Sequence, residues 1–233
     1  MEEITIVVVD DHPIFRQGVV NMLSLEPGFK IVGQASNGTE ALTMIRSLHP
    51  LVAIVDINLP GMNGQQVTHQ VVQDKLPTRV VLLTAYDDTE QIIHAACAGA
   101  AAYCTKDIDP VRLVETAKDV VGGKTVIGDR VFSKKEFVRW LDDEMEKARH
   151  LYSEPGSPFH PLSDREVEVL ACVVKGMSNK EIASSLGISH QTVKNHVTSI
   201  LRKFGVEDRT QAVVYALKRG WVKLYDNGYQ AKE

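Results

Sequence analysis

Short apolar runs alternate with helical patterns throughout the first 120 residues, and this feature restricts the possible folds more than any other. Apolar runs bounded by turn or charged residues predict β-strands at 4–9, 31–35, 52–55, 80–84 and 101–105. Apolar residues recur at helical spacing at 14–25, 38–48, 64–74, 89–98 and 110–121. Strands that alternate with helices in this way form a parallel sheet with helices on both faces.

The predicted strands are apolar throughout, which is typical of strands that are buried on both faces. Right-handed crossovers between parallel strands leave few topologies. We therefore predict an α/β flavodoxin-like (βα)5 domain over residues 1–122, with a parallel five-stranded sheet. In a fold of this kind, ligands bind at the carboxyl ends of the strands.

A different pattern follows residue 122. We predict a linker at 123–160 that contains an amphipathic helix at about 133–152, with Ser133 and Glu136 as its capping box. Docking on one domain and dimerisation are both open as roles for this helix. Residues 161–224 predict an all-α domain of four helices, in which Gly187 separates a short helix from a longer one, as in a helix-turn-helix. Residues 225–233 are a C-terminal tail.

Charge is unevenly distributed between these two domains. Residues 1–125 contain 9 Lys and Arg against 15 Asp and Glu, a balance of −6. Residues 160–224 contain 10 Lys and Arg against 6 Asp and Glu, a balance of +4. A polyanionic partner is therefore favoured only for the second domain.

Other features of the chain predict a cytoplasmic protein without a membrane partner. No apolar run approaches the roughly 18 residues that a membrane span needs. The amino terminus opens with two acids, unlike a signal peptide. The three cysteines, Cys97, Cys104 and Cys172, fit neither a disulfide framework nor a zinc site. We expect buried or idle thiols, with a redox role for Cys104 as the alternative.

Three carboxylates stand at the predicted carboxyl ends of strands: Asp10 and Asp11 after the first, and Asp56 after the third. Carboxylates brought this close repel one another unless a cation joins them, and oxygen ligands select a hard ion such as Mg²⁺. Thr84 and Lys106 stand at the ends of the fourth and fifth strands. A hydroxyl and an ammonium beside a carboxylate can receive the oxygens of a phosphoryl group, with Asp56 as the nucleophile.

The segments VVVDDHPIFRQG, VDINLPGMNG, LLTAY and GAAAYCTKD resemble the response-regulator receiver domain. The resemblance covers roughly residues 3–122 and implies that Asp56 accepts phosphate from a sensor histidine kinase. It also implies that Asp11, Asp56 and the backbone carbonyl of Asn58 bind Mg²⁺, with Asp10 acting through water. It further implies that Thr84 and Tyr103 form a switch, in which phosphorylation draws the hydroxyl to the phosphate and turns the aromatic ring inward. His12 is interpreted as structural.

The segment from Leu162 to Val213 resembles the LuxR-type helix-turn-helix of the NarL/FixJ response regulators. The third helix of this domain is therefore expected to enter the major groove of double-stranded DNA. Its inner face leaves Gln191, Lys194, Asn195 and Thr198 outward, and the resemblance implies base or groove contacts for Lys194, Asn195 and Thr198. Phosphate contacts are expected from Ser189, Thr192, Arg202 and Lys203.

One such module buries little DNA, so a homodimer on paired promoter half-sites is expected when the protein is phosphorylated. The fourth helix resembles the dimerisation helix of the family, and its candidate contacts are Ala212, Val213, Ala216 and Leu217. The resemblance thus implies a transcriptional regulator rather than an enzyme. Folding back of the DNA-binding domain and concealment of the dimer surface are both open as the form of inhibition.

Two alternative functions compete with a phosphorylated transcriptional regulator. An aspartyl-phosphate hydrolase of the dehalogenase type requires a second carboxylate two residues after the nucleophile, where this chain has Asn58; a P-loop is also absent. A transcription factor whose receiver only mediates protein contacts, without phosphorylation, is the second alternative. The complete set of acids with Thr84 and Lys106 argues against it.

Overall fold

The structure is a computed structural model that describes residues 3–85, 89–151, 162–218 and 221–222. The chain divides into two compact units, residues 1–146 and 147–233. The predicted tail at 225–233 and the proline-containing end of the predicted linker lie outside the described residues. Within the described part, no helix has the length and apolarity needed to cross a membrane.

The first unit contains a sheet in the order β2-β1-β3-β4-β5-β6-β7 with helices between the strands. Its parallel strands β1 to β5 alternate with α1 to α5, as the apolar periodicity predicts. In chain order the elements are β1 (Ile4–Val9), α1 (Pro13–Ser24), β2 (Phe29–Ala35), α2 (Gly38–Leu48), β3 (Val52–Asp56), α3 (Gly64–Gln73), β4 (Arg79–Thr84), α4 (Thr89–Ala98), β5 (Ala102–Thr105), α5 (Pro110–Val121), β6 (Thr125–Ile127), β7 (Arg130–Phe132) and α6 (Lys134–Leu151).

The sheet has seven strands, so the prediction of five strands is corrected. After α5 the chain continues as β6, which pairs parallel to β5, and β7, which pairs antiparallel to β6. Each added strand has only three residues, and Gly128 at the turn between them has a φ of +55°. Runs this short carry no periodicity, but a two-residue Gly-Asp turn between Thr-Val-Ile and Arg-Val-Phe, which are rich in β-branched and aromatic residues, is a hairpin signal.

The sheet of the first unit is buried between two apolar clusters. One contains Val55, Val67 and Tyr103, and the other contains Ile54, Leu83 and Leu113. Successive residues of β1, β3, β4 and β5 point alternately into the two clusters. Because both faces of the sheet are buried, the sequences of these strands are largely apolar. The predicted capping box of α6 is confirmed, because the Ser133 backbone N–H donates to Glu136 Oε2 over 2.8 Å.

Helix α6 begins as part of the first unit. Phe137 and Trp140 pack against the cluster that contains Tyr103, and their rings contact Phe132 of β7 at centroid distances of 6.2 and 5.3 Å. This half of the helix is therefore docked on one domain, the first of the two roles left open by the sequence. The predicted linker does not begin at 123, because β6, β7 and this part of α6 belong to the first unit.

The second unit is all-α, as predicted. Its helices are α7 (Asp164–Val174), α8 (Asn179–Leu186), α9 (His190–Phe204) and α10 (Arg209–Lys218). Ser163 and Ser178 each form a capping box with the glutamate three residues later. Gly187 ends α8 in the left-handed conformation with φ +64°, which allows the sharp turn into α9. Short helix, turn and longer helix give the predicted helix-turn-helix.

Candidate functional site

The predicted acids meet at the carboxyl edge of the sheet in the first unit. Strands β1 and β3 are hydrogen-bonded neighbours, so Asp10 after β1 lies beside Asp56 at the end of β3. Both carboxylates are buried, with 2% and 1% of their surface exposed. One ligand atom from each of Asp10, Asp11, His12 and Asp56 lies within 4.8 Å of the others. The sequence prediction that these acids form one cluster is therefore confirmed.

Lys106 joins the two buried carboxylates of this cluster. It follows β5, and its backbone N–H donates to the carbonyl of Thr84 at the end of β4 over 2.7 Å. Its Nζ lies 2.7 Å from Asp10 Oδ2 and 2.9 Å from Asp56 Oδ2. Burial raises the pKa of Asp56 above its ordinary value, and Lys106 opposes that effect. Burial also acts to lower the pKa of Lys106, but Asp56 and Asp10 outweigh it, so this pKa is raised.

The backbone around Asp56 is held by close packing. The Asn58 N–H donates to Asp56 Oδ1 over 3.0 Å, and the N–H of Gly64 donates to the carbonyl of Ile57. A Cβ at Gly64 would lie 2.3 Å from the carbonyl oxygen of Asp56, a distance that no real Cβ contact shows. Glycine is therefore required at the start of α3, because it lets this helix approach the loop that carries Asp56.

The residues present fit a hard divalent cation. The clustered donors are carboxylate oxygens with one imidazole nitrogen, and oxygen ligands are those that Mg²⁺ prefers. The side-chain oxygen of Asn58 is buried, and it has no hydrogen-bond partner among the described residues. An acidic pocket suited to a cation is thus present at this edge of the sheet.

The two predicted switch residues lie on adjacent strands beside the cluster. Thr84 ends β4 and is fully buried, in register with Thr105 of β5. Tyr103 on β5 is 1% exposed and belongs to the apolar cluster on one face of the sheet. The aromatic ring therefore occupies an inward position in this structure.

Three residues of the segment after β1, namely His12, Phe15 and Arg16, contact the acid cluster or Lys106, and none of them was assigned to the site from the sequence. The Nδ1 of His12, which the sequence predicts to be structural, lies 2.9 Å from Asp11 Oδ1. Lys106 Nζ lies 4.8 Å from the centre of the Phe15 ring, a cation–π contact. Arg16 donates to the backbone carbonyl of Asp10. The sequence signal that could have identified them is their position within six residues of Asp10 and Asp11.

The second unit presents α9 with the predicted outward face. The side chains of Gln191, Lys194, Asn195 and Thr198 are exposed, whereas Val193 is fully buried. Arg202 is exposed one turn after this group, and the side chain of Gln191 donates to that of Asn195 over 3.0 Å. Ser189 caps the helix and accepts from the Thr192 N–H. These predicted DNA contacts therefore share one accessible surface, which we call the α9 face.

Lys203 is placed differently from the other predicted phosphate contacts. Its Nζ lies 2.6 Å from Glu166 Oε2 of α7, and only 16% of its side chain is exposed. Glu166 also accepts from Ser199 and from the backbone N–H of Ser163. Burial acts to raise the pKa of Glu166, but hydrogen bonds from Lys203, Ser199 and Ser163 outweigh it and lower the pKa to about 2. Lys203 thus supports the packing of α7 against α9.

The predicted dimerisation residues of α10 do not share one surface. Ala212 and Ala216 are 1% and 0% exposed and lie in the core of the second unit. Their assignment to a dimer surface is corrected, because these small side chains let α10 pack on α7 and α9. Val213 and Leu217 are partly buried against the same core, and Val214 is 45% exposed.

Comparison with known families assigns both units. Residues 6–118 match the response regulator receiver domain, and residues 160–216 match the bacterial regulatory proteins of the luxR family. The transcriptional regulatory protein DegU of Brevibacillus brevis is 39% identical over 227 residues, covering 95% of this chain and 96% of that protein. This chain belongs to the response regulators. It is a two-component response regulator with a LuxR-type DNA-binding domain, hence a transcriptional regulator.

Two further relatives support the assignment to the response regulators. The nitrate/nitrite response regulator protein NarP of Escherichia coli is 34% identical, with 92% of this chain and 94% of that protein covered. The receiver domain of the putative response regulator NarL from Mycobacterium tuberculosis is 41% identical with a TM-score of 0.52. That match covers 53% of this chain and 99% of the NarL domain.

Proposed function

We propose that Asp56 of this response regulator accepts a phosphoryl group from a phosphohistidine of a sensor histidine kinase. The observation that carries the proposal is the cluster of Asp10, Asp11 and Asp56 with the ammonium of Lys106 at 2.9 Å from Asp56. A carboxylate oxygen of Asp56 attacks the phosphorus, the P–N bond breaks, and the imidazole of the kinase leaves with the bonding electron pair and takes up a proton. An aspartyl phosphate and a free histidine result.

Each neighbour of Asp56 has a defined role in this transfer. Lys106 holds Asp10 and Asp56 together before the reaction and offers its ammonium to a phosphoryl oxygen afterwards. The hydroxyl of Thr84 is a donor for a second phosphoryl oxygen. Asp10, Asp11, Asp56 and the Asn58 carbonyl are the residues that would hold Mg²⁺. When bound, the ion neutralises negative charge on the phosphoryl oxygens.

The experiment that tests the phosphoacceptor uses acetyl phosphate and Mg²⁺ with the full chain. Intact-mass analysis should show one added phosphoryl group in the wild type and none in Asp56→Asn. Asp74→Asn is the matched control, because Asp74 is a carboxylate outside the cluster that pairs with Arg46. Accumulation of phosphoprotein supports a regulator, whereas continuous consumption of acetyl phosphate without accumulation would support a phosphohydrolase.

We further propose that the α9 face reads double-stranded DNA in the major groove. Lys194, Asn195 and Thr198 are exposed together on the helix that follows the turn, and the unit carrying them is basic. Lys194→Ala should weaken binding to a promoter fragment by about 1–3 kcal/mol. Lys175→Ala is the control, because Lys175 is also exposed but lies at the end of α7. Equal losses for the two variants would refute this assignment.

Phosphorylation is proposed to favour a homodimer on paired half-sites, with Val213, Val214 and Leu217 of α10 as the contact. These are the aliphatic α10 residues that keep exposed surface. Sedimentation and DNA affinity should both change when the wild type is treated with beryllofluoride and Mg²⁺, and Asp56→Asn should not respond. If treatment of the wild type changes neither quantity, control by phosphorylation is wrong.

A further inference from the structure

The ammonium of Lys106 lies between two carboxylates and one aromatic ring. Its Nζ is 2.7 Å from Asp10 Oδ2, 2.9 Å from Asp56 Oδ2 and 4.8 Å from the centre of the Phe15 ring. The face of an aromatic ring within about 6 Å of a cation attracts it through the ring quadrupole. The Lys106 side chain is 18% exposed, so water surrounds little of it and these three groups are the main surroundings of its charge.

The Phe15 ring is held in place by the first turns of α1. Arg16, the next residue, donates from Nη1 to the backbone carbonyl of Asp10 over 2.5 Å, which ties this part of the helix to the segment that carries the acids. Phe15 also packs against the apolar cluster that contains Leu113. The ring is therefore a fixed part of the wall beside Lys106, whereas the lysine reaches the site on a flexible four-carbon stem.

The three contacts of Lys106 differ in what happens to them during phosphoryl transfer. A phosphoryl group on Asp56 brings oxygens that accept hydrogen bonds from the ammonium. Lys106 must then redirect its N–H groups toward these oxygens, so its contacts with Asp10 and Asp56 change. The attraction of the Phe15 ring acts on the charge and does not depend on where each N–H points. This contact can therefore persist while the hydrogen bonds exchange.

We propose that Phe15 is a positioning residue for phosphoryl capture, because its ring keeps the Lys106 ammonium at the acid cluster while Lys106 turns from the carboxylates to a phosphoryl oxygen. The inference rests on the proposed phosphorylation of Asp56 and adds a residue of α1 to that reaction. Phe15 acts through Lys106 and not on the phosphoryl group itself. Without the ring, the flexible stem leaves the ammonium within reach of the phosphoryl group for less of the time.

The chain offers a matched control in a second pair of the same kind. The Nζ of Lys118 on α5 lies 5.8 Å from the centre of the Phe29 ring, and Phe29 packs against the same apolar cluster as Phe15. Lys118 is 50% exposed and pairs with Glu26, outside the acid cluster. A change at Phe29 therefore removes a comparable ring from the same core without altering the surroundings of Lys106.

The first test measures the affinity of the full chain for beryllofluoride, by calorimetry at saturating Mg²⁺. Phe15→Leu keeps an apolar side chain but has no ring face, so beryllofluoride should bind about three- to tenfold more weakly. Phe15→Tyr keeps the ring and should bind within about twofold of the wild type. Phe29→Leu should bind as the wild type does.

A second titration separates positioning from damage to the site. Mg²⁺ binds to oxygen ligands and not to the ammonium, so its affinity without beryllofluoride should not fall in Phe15→Leu. A merely structural role of Phe15 would instead disturb the segment that carries Asp10 and Asp11, and would weaken the binding of both ligands. Parallel losses of Mg²⁺ and beryllofluoride affinity would therefore refute the positioning role.

The electronic origin of the effect is tested with a ring of nearly the same size. A phenylalanine with three ring fluorines at position 15 stays apolar, but the fluorines withdraw electron density from the ring face and weaken its attraction for a cation. This protein also decides the question if Phe15→Leu does not fold. Its beryllofluoride affinity should fall, whereas the same replacement at position 29 should have no effect. Unchanged affinity with the fluorinated ring at position 15 would overturn the proposal.

The outcomes also separate this inference from the proposed function. Weaker beryllofluoride binding in Phe15→Leu and in the protein fluorinated at position 15, with Mg²⁺ affinity kept, supports the inference. Wild-type affinity for beryllofluoride in both proteins overturns it and leaves Asp56 as the phosphoacceptor. Failure of the wild type to bind beryllofluoride overturns the phosphoacceptor assignment, and the inference with it.

Discussion

Substitution of Glu166 by Gln should destabilise the second unit by about 3 kcal/mol at neutral pH. Glu166 is 4% exposed, and Lys203, Ser199 and Ser163 hold its pKa at about 2 against an ordinary value of 4.5. Such a shift is worth about 3 kcal/mol of unfolding free energy, since each pKa unit corresponds to about 1.4 kcal/mol. Because the folded pKa is depressed, this contribution is complete above about pH 5 and is lost as the pH falls toward 2. Gln keeps the capping box with Ser163, so the variant removes the charge alone.

The assay is urea unfolding followed by Trp221 fluorescence in a Trp140→Phe background. Trp221 lies in the core of the second unit, 5.8 Å from the ring of Phe204, and reports on that unit. The difference between wild type and Glu166→Gln should shrink from about 3 kcal/mol at pH 7 to about 1 kcal/mol at pH 3. Glu168→Gln is the control, because its pair with Arg165 is solvent-exposed and worth at most about 1 kcal/mol. A pH-independent difference would refute the reasoning.

Three further predictions concern the first unit. Lys106→Met should lower its stability by about 3 kcal/mol in urea without Mg²⁺, because two buried carboxylates lose their counter-ion; added Mg²⁺ should recover most of the loss. Gly64→Ala should weaken Mg²⁺ binding measured by calorimetry, since its Cβ displaces the backbone of Asp56. In native protein, iodoacetamide should label exposed Cys97 before Cys104, whose pKa burial raises to about 11; equal rates would revive a redox role.

The acid cluster was predictable because it depends only on strand ends. Apolar runs locate the strands within one or two residues, and parallel strands bring their carboxyl ends to one edge. The flavodoxin-like strand order, with β1 beside β3 and only β4 between β3 and β5, then brings Asp10, Asp56 and Lys106 together. The sequence could not predict that Lys106 contacts both Asp10 and Asp56, because a lysine side chain can reach several partners from one backbone position.

The hairpin after α5 was missed for a different reason. Strands β6 and β7 have three residues each, too few for periodicity. Only the Gly128-Asp129 turn between Thr-Val-Ile and Arg-Val-Phe indicates them. The inner face of α10 was similarly ambiguous. Small and apolar residues occur around most of this helix, so nothing in their spacing distinguished buried Ala212 and Ala216 from exposed Val214. Which face is buried is decided by packing on α7 and α9.

Lys106 and Lys203 show why the same ion pair has different consequences in the two units. Each ammonium lies within 2.9 Å of a buried carboxylate, yet burial leaves the pKa of Asp56 raised, whereas that of Glu166 is lowered to about 2. Asp56 shares its lysine with Asp10, so one positive charge serves two acids. Glu166 has its lysine, a hydroxyl and a backbone N–H. The raised pKa of Asp56 is consistent with the cation and phosphoryl group proposed to bind there, whereas the contacts of Glu166 join α7 to α9.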